Sequence, residues 1–260
     1  MLSADGRFEI RLTRDPADIA AAQHLRYQVF YEEMTAEPSP EMRAAGRDFD
    51  RFDAICDHML VIDRHRPEDS RIVGTYRMLQ RADAEAHGGY YSSGEYDIAS
   101  FVAGFGDKNA CEIGRSCVHA DYRNQRTIEL LWRGLAHYYR DNNIERIFGC
   151  ASFPSTNPDD IALPLSYLHH FHLAPPELRV RALPERYVEM NRIAKDDISA
   201  RQAIKQVPPL IRAYLRLGGV CGEGAVIDQQ FGTTDVFMVL AMENVPEKYH
   251  DYFERDDTPA

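Results

Sequence analysis

A strand–helix–strand segment in the middle of the chain constrains the fold more than any other part of the sequence. Residues 109–120, "NACEIGRSCVHA", are typical of a strand, and residues 123–143, "RNQRTIELLWRGLAHYYRDNN", follow almost directly. One face of this second segment is apolar at helical spacing: Ile128, Leu131, Leu135 and Tyr138. Residues 144–153, "IERIFGCASF", are the next strand. A helix that joins two such strands forms a crossover, so the two strands are predicted to be parallel.

The rest of the sequence predicts further strands and helices around this crossover. "RFEIRLTR" alternates apolar and charged residues, and Asp15 and Pro16 then open a helix. "HMLVID" and "RIVGTYRML" are predicted to be consecutive strands, "GAVIDQQ" and "DVFMVLAME" the last two, and Asn157 with Pro158 the start of another helix. The sequence therefore predicts one α/β domain with a mixed sheet over residues 1–245, followed by a polar tail, residues 246–260.

Charge and composition exclude several classes of function. The formal net charge of −11 argues against nucleic acid as a partner. The five cysteines are an odd number without a CxxC pair, which argues against a disulfide framework and a zinc ribbon, and we expect no metal site. No run approaches the roughly 20 apolar residues of a membrane span, and the N-terminus lacks the features of a signal peptide. We therefore expect a cytoplasmic location.

Charged residues inside an apolar strand mark a candidate site. Glu112 and Arg115 stand three positions apart, where strict alternation places them on opposite faces of a sheet. A bulge at Gly114 would turn both side chains to one side and free a backbone N–H to stabilise an oxyanion. A buried Glu–Arg ion pair that only orders the sheet is the alternative. Arg77, in "GTYRML", leaves the same two interpretations open.

The order of four segments resembles the acyl-homoserine-lactone synthases and the related ornithine N-acyltransferases, both members of the GNAT acyltransferase superfamily. The segments are "LRYQVF", "DFDRFDAICDHMLV", "IVGTYRML" and "EIGRSCV". The matching positions are Arg26, Phe30, Asp48, Asp50, Asp53, Arg77, Glu112 and Arg115. The resemblance implies a GNAT-type fold, with a mostly antiparallel mixed sheet and the parallel crossover at the acyl-donor site.

Two features favour the ornithine N-acyltransferases over the lactone synthases. The tryptophan that the synthases carry soon after the Val-Phe pair is absent, and Asp48 stands where glutamate is usual. Beyond residue 120, "GCASFPSTNP" and "LSYLHHFHLAP" resemble the ornithine N-acyltransferases. This family implies transfer of a 3-hydroxyacyl group from acyl carrier protein to the α-amine of ornithine, forming lyso-ornithine lipid. Lactone synthesis from S-adenosylmethionine, and acylation of lysine, glutamine or glycine, remain the alternatives.

The resemblance also assigns roles to the matching residues. Glu112 becomes the candidate base for the α-ammonium group, with His119 as its competitor, and Gly114 and Arg115 complete the catalytic set. The aspartates become candidate ligands for the two ammonium groups of ornithine, in a substrate site that includes Arg26, Phe30 and Arg77. Acidic residues before a strand can also belong to a solvated loop or pair with nearby arginines, and that alternative stays open.

The helix after the Glu112 strand indicates the acyl donor. Members of the superfamily that use coenzyme A place a glycine-rich turn at this helix to hold the pyrophosphate, but here Arg126 and Ile128 replace small residues. A phosphopantetheine arm lacks a pyrophosphate. Four arginines form a basic stripe that could dock an acidic carrier protein, although a solvated helix face would look similar: Arg123, Arg126, Arg133 and Arg140. We expect no permanently bound cofactor, only 3-hydroxyacyl phosphopantetheine as co-substrate.

Two further alternatives concern the setting of the protein. A non-enzymatic binding module is conceivable for this fold, but the charged strand positions favour a catalytic cleft. Weak peripheral association with the cytoplasmic face of the inner membrane is compatible with a lipid product.

Overall fold

The computed structural model describes residues 1–3, 5–34 and 36–249. The predicted polar tail, residues 246–260, falls outside the described residues from position 250 onward. Strands are β1 (Phe8–Thr13), β2 (Asp57–Asp63), β3 (Ile72–Gln80), β4 (Ala110–Val118), β5 (Arg146–Phe153), β6 (Tyr187–Val188), β7 (Val220–Asp228) and β8 (Thr233–Ala241). Helices are α1 (Pro16–Tyr27), α2 (Pro40–Ala45), α3 (Arg81–Ala86), α4 (Ile98–Ala103), α5 (Gln125–Asp141), α6 (Ala162–His172), α7 (Ala200–Gln206) and α8 (Pro209–Arg216).

The described chain divides into two compact units. Among the described residues, the first unit comprises residues 1–88, 113–143 and 247–249, and the second comprises residues 89–112 and 144–246. Strand β4 is divided between them, with its first three residues in the second unit. The prediction of a single domain stays a prediction.

In the first unit, β2 is buried on both faces. It pairs antiparallel with β1 and with β3, and the strand order is β1-β2-β3-β4. Leu60 and Ile62 pack in one cluster with Leu25 of α1, while a Cβ atom on Gly134 of α5 would lie 2.4 Å from the sulfur of Met59. Alternate side chains of a strand point to opposite faces, which explains why "MLVI", residues 59–62, is an uninterrupted apolar run.

In the second unit, β5 has one parallel and one antiparallel neighbour. Residues 110–112 of β4 pair in parallel with residues 146–148 of β5, and β8 pairs antiparallel along the whole of β5. The strand order is β4-β5-β8-β7-β6, with antiparallel pairs after β5. The predicted α/β class and the mixed, mostly antiparallel sheet with one parallel crossover are therefore confirmed.

Two predicted helices differ from the observed ones. The helix expected from Asn157 begins only at Ala162, because the side chain of Asn157 accepts the N–H of Asp159 at 3.2 Å and closes a local turn. The first helix is α-helical only to Tyr27 and continues as a π-helix over Gln28–Glu33. Local side-chain hydrogen bonds and tertiary packing, which periodicity does not report, decide both boundaries.

Candidate active site

In the first unit, the aspartates before β2 form a charge-balanced cluster with arginines from three other elements. The carboxylates are those of Asp48, Asp50 and Asp53, and the guanidinium groups are those of Arg26, Arg77 and Arg115. We call this set the aspartate–arginine cluster. Three negative and three positive charges compensate each other, which explains how like charges can crowd beside a buried strand.

Arg26 of α1 is the most deeply buried cation of this cluster, with a fully enclosed side chain. Its Nη2 donates to both carboxylate oxygens of Asp53, at 3.0 and 2.9 Å, and to the backbone carbonyl of Asp48 at 2.6 Å. Its Nε lies 2.8 Å from Asp48 Oδ2, without the alignment of a hydrogen bond. Arg26 therefore connects α1 to the loop that carries the three aspartates, residues 48–53, which we call the acidic loop.

Arg77 and Arg115 hold Asp50 between them. Arg77 Nη1 donates to Asp50 Oδ1 at 2.6 Å and to Asp53 Oδ1 at 3.2 Å. Arg115 Nη2 donates to Asp50 Oδ2 at 3.3 Å, and its Nε donates to Asp48 Oδ2 at 3.2 Å. Strands β3 and β4 thus both anchor the acidic loop.

The arginines keep the carboxyl groups of Asp50 and Asp53 ionised despite their burial. Burial alone would raise the pKa of Asp53, but Arg26 and Arg77 outweigh it and lower that pKa to about 2. The pKa of Asp50 is also held below its ordinary value, because Arg77 and Arg115 outweigh the effect of burial. Burial lowers the pKa of neighbouring His58, so this ring is neutral at neutral pH.

The cluster restricts which aspartate can meet a substrate. Asp48 and Asp53 are enclosed and committed to arginines, whereas the side chain of Asp50 is 20% exposed. The predicted role of the three aspartates as amine ligands stays a prediction, and the geometry favours Asp50 for it. Phe30, half-buried against the Leu25 cluster, lies in the π-helix that follows α1.

The backbone of β4 is irregular next to Gly114. Arg115 has a φ of 50°, in the left-handed region that a non-glycine residue occupies at a cost of about 1–3 kcal/mol. A Cβ atom on Gly114 would meet no atom within 4 Å. The left-handed residue directly follows Gly114, while the bulge predicted at Gly114 and the catalytic roles of Gly114 and Arg115 stay predictions.

In the second unit, Glu112 is buried and accepts three hydrogen bonds from one short turn. The backbone N–H groups of Tyr91 and Ser92 donate to it at 2.7 and 2.8 Å, and Ser92 Oγ donates at 2.5 Å. These donors fix the orientation of the carboxylate on β4. The role of Glu112 as base stays a prediction.

A second polar group, which the sequence did not indicate, lies beside Ser92. Cys150 Sγ is 3.5 Å from Ser92 Oγ and donates to Glu95 Oε2 at 3.3 Å. One carboxylate oxygen each of Glu95 and Asp235 and the sulfur of Cys150 lie within 4.8 Å of one another. Burial and the charge of Asp235 raise the pKa of Glu95 to about 7. Residues 80–108, which include Glu95, contain several glycines and show no clear periodicity. Cys150 lies in an apolar strand and has the pattern of an ordinary core residue. The sequence therefore provided no signal for either residue.

Comparison with known proteins decides the family. The chain is 46% identical to an L-ornithine Nα-acyltransferase of Agrobacterium fabrum over 95% of this chain and 85% of the relative. It is 40% identical to the protein of that name from Rhodobacter capsulatus, over 98% of each chain. This chain belongs to the family of L-ornithine Nα-acyltransferases. A GNAT acetyltransferase domain model also matches residues 25–133.

Solved structures agree on the fold of this family member. An N-acyl amino acid synthase from uncultured soil microbes has a TM-score of 0.50 at 9% identity, covering 91% of this chain and 92% of that one. A coenzyme-A-dependent acyl-homoserine-lactone synthase, solved with S-adenosylmethionine and isopentyl-coenzyme A, has a TM-score of 0.51 at 11% identity, covering 95% and 87%. These likenesses confirm the GNAT-type acyltransferase fold.

The arginines proposed for carrier docking in this acyltransferase already contact other side chains. Arg123 pairs with Glu33, Arg126 Nη2 lies 2.5 Å from Asp5 Oδ2, and Arg140 Nε lies 3.2 Å from Asp141 Oδ1. Arg133 is half-buried on α5. Exposed pairs of this kind exchange readily with other partners, so docking stays a prediction. Within residues 1–3, 5–34 and 36–249, no helix has both the length and the apolarity needed to cross a bilayer.

Proposed function

We propose that this protein transfers a 3-hydroxyacyl group from acyl carrier protein to the α-amine of L-ornithine, forming lyso-ornithine lipid. The observation that carries the proposal is identity of 40–46% along almost the whole chain to four proteins named L-ornithine Nα-acyltransferase. Identity over this length includes the β4–α5–β5 crossover and the C-terminal half of the chain.

The amine is the first element of the reaction. Ornithine carries two ammonium groups, and Asp50 is the partly exposed carboxylate of the aspartate–arginine cluster. Arg77 and Arg115 hold the pKa of Asp50 below its ordinary value, so Asp50 is an anion at neutral pH, where ornithine carries two ammonium groups. Asp50 is thus suited to one ammonium group, through a charge-assisted hydrogen bond.

The chemical step requires little from the protein. The thioester is already activated, so the amine must lose a proton, reach the carbonyl carbon and have the tetrahedral oxyanion stabilised. Glu112 is the proposed proton acceptor, and its three hydrogen bonds from Tyr91 and Ser92 keep it in place. A backbone N–H at Gly114 is the proposed oxyanion donor.

The start of α5 supports a carrier-bound donor over coenzyme A. Asn124 caps the helix and accepts the N–H of Thr127 at 3.1 Å, so this donor is already engaged. A cavity of about 490 Å³ beside the same end is lined by Arg7, Arg66 and Arg126 together with Phe8, Asp121, Tyr122 and Asn124. Three guanidinium groups favour the acidic surface of a carrier protein. We place the reaction in the cytoplasm, with weak association at the inner membrane to release the lipid product.

An amine panel tests the proposal. Purified protein is given 3-hydroxyacyl carrier protein and, separately, ornithine, lysine, glutamine, glycine or S-adenosylmethionine, and products are identified by mass spectrometry. Parallel reactions replace the carrier with the matching acyl-coenzyme A. We expect acyl-ornithine, formed faster from the carrier-bound donor.

Each other product overturns a particular part of the proposal. An acyl-homoserine lactone with release of methylthioadenosine would identify a lactone synthase. Acylation of a different amino acid would keep the donor and change the acceptor. Equal rates with acyl-coenzyme A would remove the preference for acyl carrier protein.

A further inference from the structure

A line of four polar side chains runs through an aromatic part of the second unit. Glu112 of β4, Ser92, Cys150 of β5 and Glu95 contact one another in that order, through Ser92 Oγ–Glu112 Oε1 at 2.5 Å, Ser92 Oγ–Cys150 Sγ at 3.5 Å and Cys150 Sγ–Glu95 Oε2 at 3.3 Å. We call these residues the polar line. All three distances are within hydrogen-bonding range for oxygen and sulfur.

Aromatic side chains pack beside the polar line. Glu112 pairs in register with Phe148, two residues before Cys150 on the same face of the sheet. Phe148 stacks on Phe237 and meets the rings of Tyr90 and Phe101 edge-on. Three members of the line, Glu112, Ser92 and Glu95, are buried, and limited access to water strengthens the hydrogen bonds that they make.

The geometry points to a proton relay: Glu112 passes the proton that it takes from the amine through Ser92 and Cys150 to Glu95. This inference rests on the proposed function, in which Glu112 accepts that proton. Ser92, Cys150 and Glu95 act through Glu112 and are positioning residues, because none of them is assigned a contact with the substrate.

The transfer balances atom by atom. An N–H bond of the ammonium group breaks, its electron pair stays on nitrogen, and an O–H bond forms on Glu112. Glu112 then gives this proton to Ser92 Oγ, while the hydroxyl proton moves to Cys150 Sγ and the thiol proton moves to Glu95 Oε2. Ser92 and Cys150 end with one proton each, Glu112 is again a carboxylate, and Glu95 is a neutral acid.

The charges around Glu95 suit it to hold and release that proton. Asp235 of β8 and Asp228 of β7 favour the neutral acid, whereas Arg186, with Nη2 3.8 Å from Glu95 Oε1, and the thiol of Cys150 favour the carboxylate. Burial is the largest influence, and the resulting pKa is about 7. A group that titrates near neutral pH exchanges protons in both directions during turnover. Arg186, which lies beside Glu95, has a partly exposed side chain.

Burial of Cys150 makes its thiol a carrier of the proton rather than an anion. Burial and the charges of Glu95 and Asp235 raise the pKa of this thiol well above its ordinary value, so the sulfur keeps its proton at neutral pH. A neutral thiol both donates and accepts a hydrogen bond, as a relay requires. A hydroxyl group can replace it in this role, but a methyl group cannot.

The kinetic test compares Cys150→Ala, Cys150→Ser and Glu95→Gln with the wild type. We expect Cys150→Ala and Glu95→Gln to lower kcat by roughly 10- to 100-fold, the range of general acid–base effects, with the KM for the amine unchanged. Cys150→Ser should return to within about threefold of the wild type, because its hydroxyl group rejoins the line. The matched control is Cys221→Ala, a buried cysteine of the same unit that donates to Leu168 O, and we expect no loss of kcat from it.

The pH profile separates a relay from a structural role. The acid limb of kcat in the wild type should follow Glu95 and should be absent in Glu95→Gln, whereas a packing defect lowers kcat equally at every pH. Equal kcat for Cys150→Ala and the wild type across the profile, or no recovery in Cys150→Ser, would overturn the relay.

Infrared titration of the protein without substrates keeps this test separate from the proposed function. We expect the S–H stretch of Cys150, identified by its loss in Cys150→Ala, to shift as Glu95 ionises and to stay fixed in Glu95→Gln. A fixed S–H stretch in the wild type would overturn the relay whatever the substrate is. The kinetic series uses whichever amine the wild type acylates, so a wrong assignment of ornithine appears in the wild type alone.

Discussion

Arg26 and Asp53 form a buried ion pair, with Arg26 Nη2 2.9 Å from Asp53 Oδ2. The pair joins α1 to the loop before β2, and Gln23 Nε2 also donates to Asp53 Oδ2 at 3.0 Å. A buried ion pair contributes little net stability compared with an apolar pair of similar shape, but loss of one partner leaves a charge without compensation. Placement of the acidic loop, and with it Asp50, therefore depends on this contact.

We predict that Arg26→Met destabilises the protein strongly. The change leaves Asp53 and Asp48 buried beside an apolar side chain, and the loss of one partner of a buried pair costs about 3–5 kcal/mol. Denaturant unfolding followed by circular dichroism at neutral pH measures the change in the free energy of unfolding. The control is Glu85→Gln, which breaks the more exposed pair of Glu85 with Arg81 within α3 and should cost less than about 0.5 kcal/mol. Similar losses in both variants would contradict this account of the cluster.

Gly134 provides a second stability prediction, at the contact of α5 with the sheet of the first unit. A Cβ atom there would lie 2.4 Å from Met59 Sδ and 2.9 Å from Ile10 Cγ2. Gly134→Ala should therefore destabilise by about 1–3 kcal/mol through overpacking, although alanine is the better helix former. Thermal and urea unfolding measure the loss. Gly94→Ala, which would meet no atom within 4 Å, should change stability by less than about 0.5 kcal/mol, and a stabilised Gly134→Ala would show that the helix can shift.

Periodicity predicted the parts of the fold that depend on local pattern. The crossover of β4, α5 and β5 and the doubly buried run of β2 follow from the spacing of apolar residues. The predicted start of α6 was wrong because the turn closed by Asn157 competes with a helix. That competition depends on side-chain geometry. The two residues of β6 carry too little pattern to be recognised.

The candidate site was only partly accessible from the sequence. The charges at Glu112, Arg77 and Arg115 interrupt apolar strands, so their positions alone indicate a special role. Their partners are distant in sequence: Arg115 is 67 residues from Asp48, and Ser92 is 58 residues from Cys150. No local pattern reports such pairs, which form only when the sheet assembles. The alternative that the aspartates are partners of arginines was left open, and the structure shows that pairing.

Charge reversal at α5 tests carrier docking. Arg126→Glu should raise the KM for 3-hydroxyacyl carrier protein by about twofold to fivefold, the scale of a surface ion pair, and leave the KM for ornithine unchanged. The effect should shrink in high salt, because exposed charges are screened. Initial rates at varied carrier concentration give both constants.

The matched control for docking is Arg181→Glu. Arg181 is an exposed arginine that, like Arg126, is paired with an acid, and its reversal changes the net charge by the same amount. We expect its KM for the carrier to stay at the wild-type value. Equal increases in both variants would mean that overall charge, rather than a site on α5, governs the encounter.

The raised pKa of Glu95 predicts how stability changes with pH. Its pKa is about 7 in the folded protein and 4.5 ordinarily, so the folded state binds more protons between these values. This contribution to stability is fully present below about pH 4.5 and is lost as pH rises through 7. A difference of this size corresponds to about 3 kcal/mol. Glu95→Gln removes the titrating group and should therefore gain stability relative to the wild type as the pH increases.

Urea unfolding at about pH 5 and about pH 8 measures this difference in the free energy of unfolding. The lower pH lies near the start of the range in which Glu95 affects stability, and the higher pH lies beyond its end. At the lower pH the two proteins should be similar, because Glu95 is mostly neutral there and glutamine is its isostere. At the higher pH, Glu95→Gln should be the more stable protein by up to about 3 kcal/mol, since it avoids burying a charge near Asp235. The control Glu185→Gln alters an exposed carboxyl group of the same unit and should follow the wild type at both pH values. A constant difference between Glu95→Gln and the wild type would mean that Glu95 does not titrate in this range, and the relay would then lack its proton acceptor.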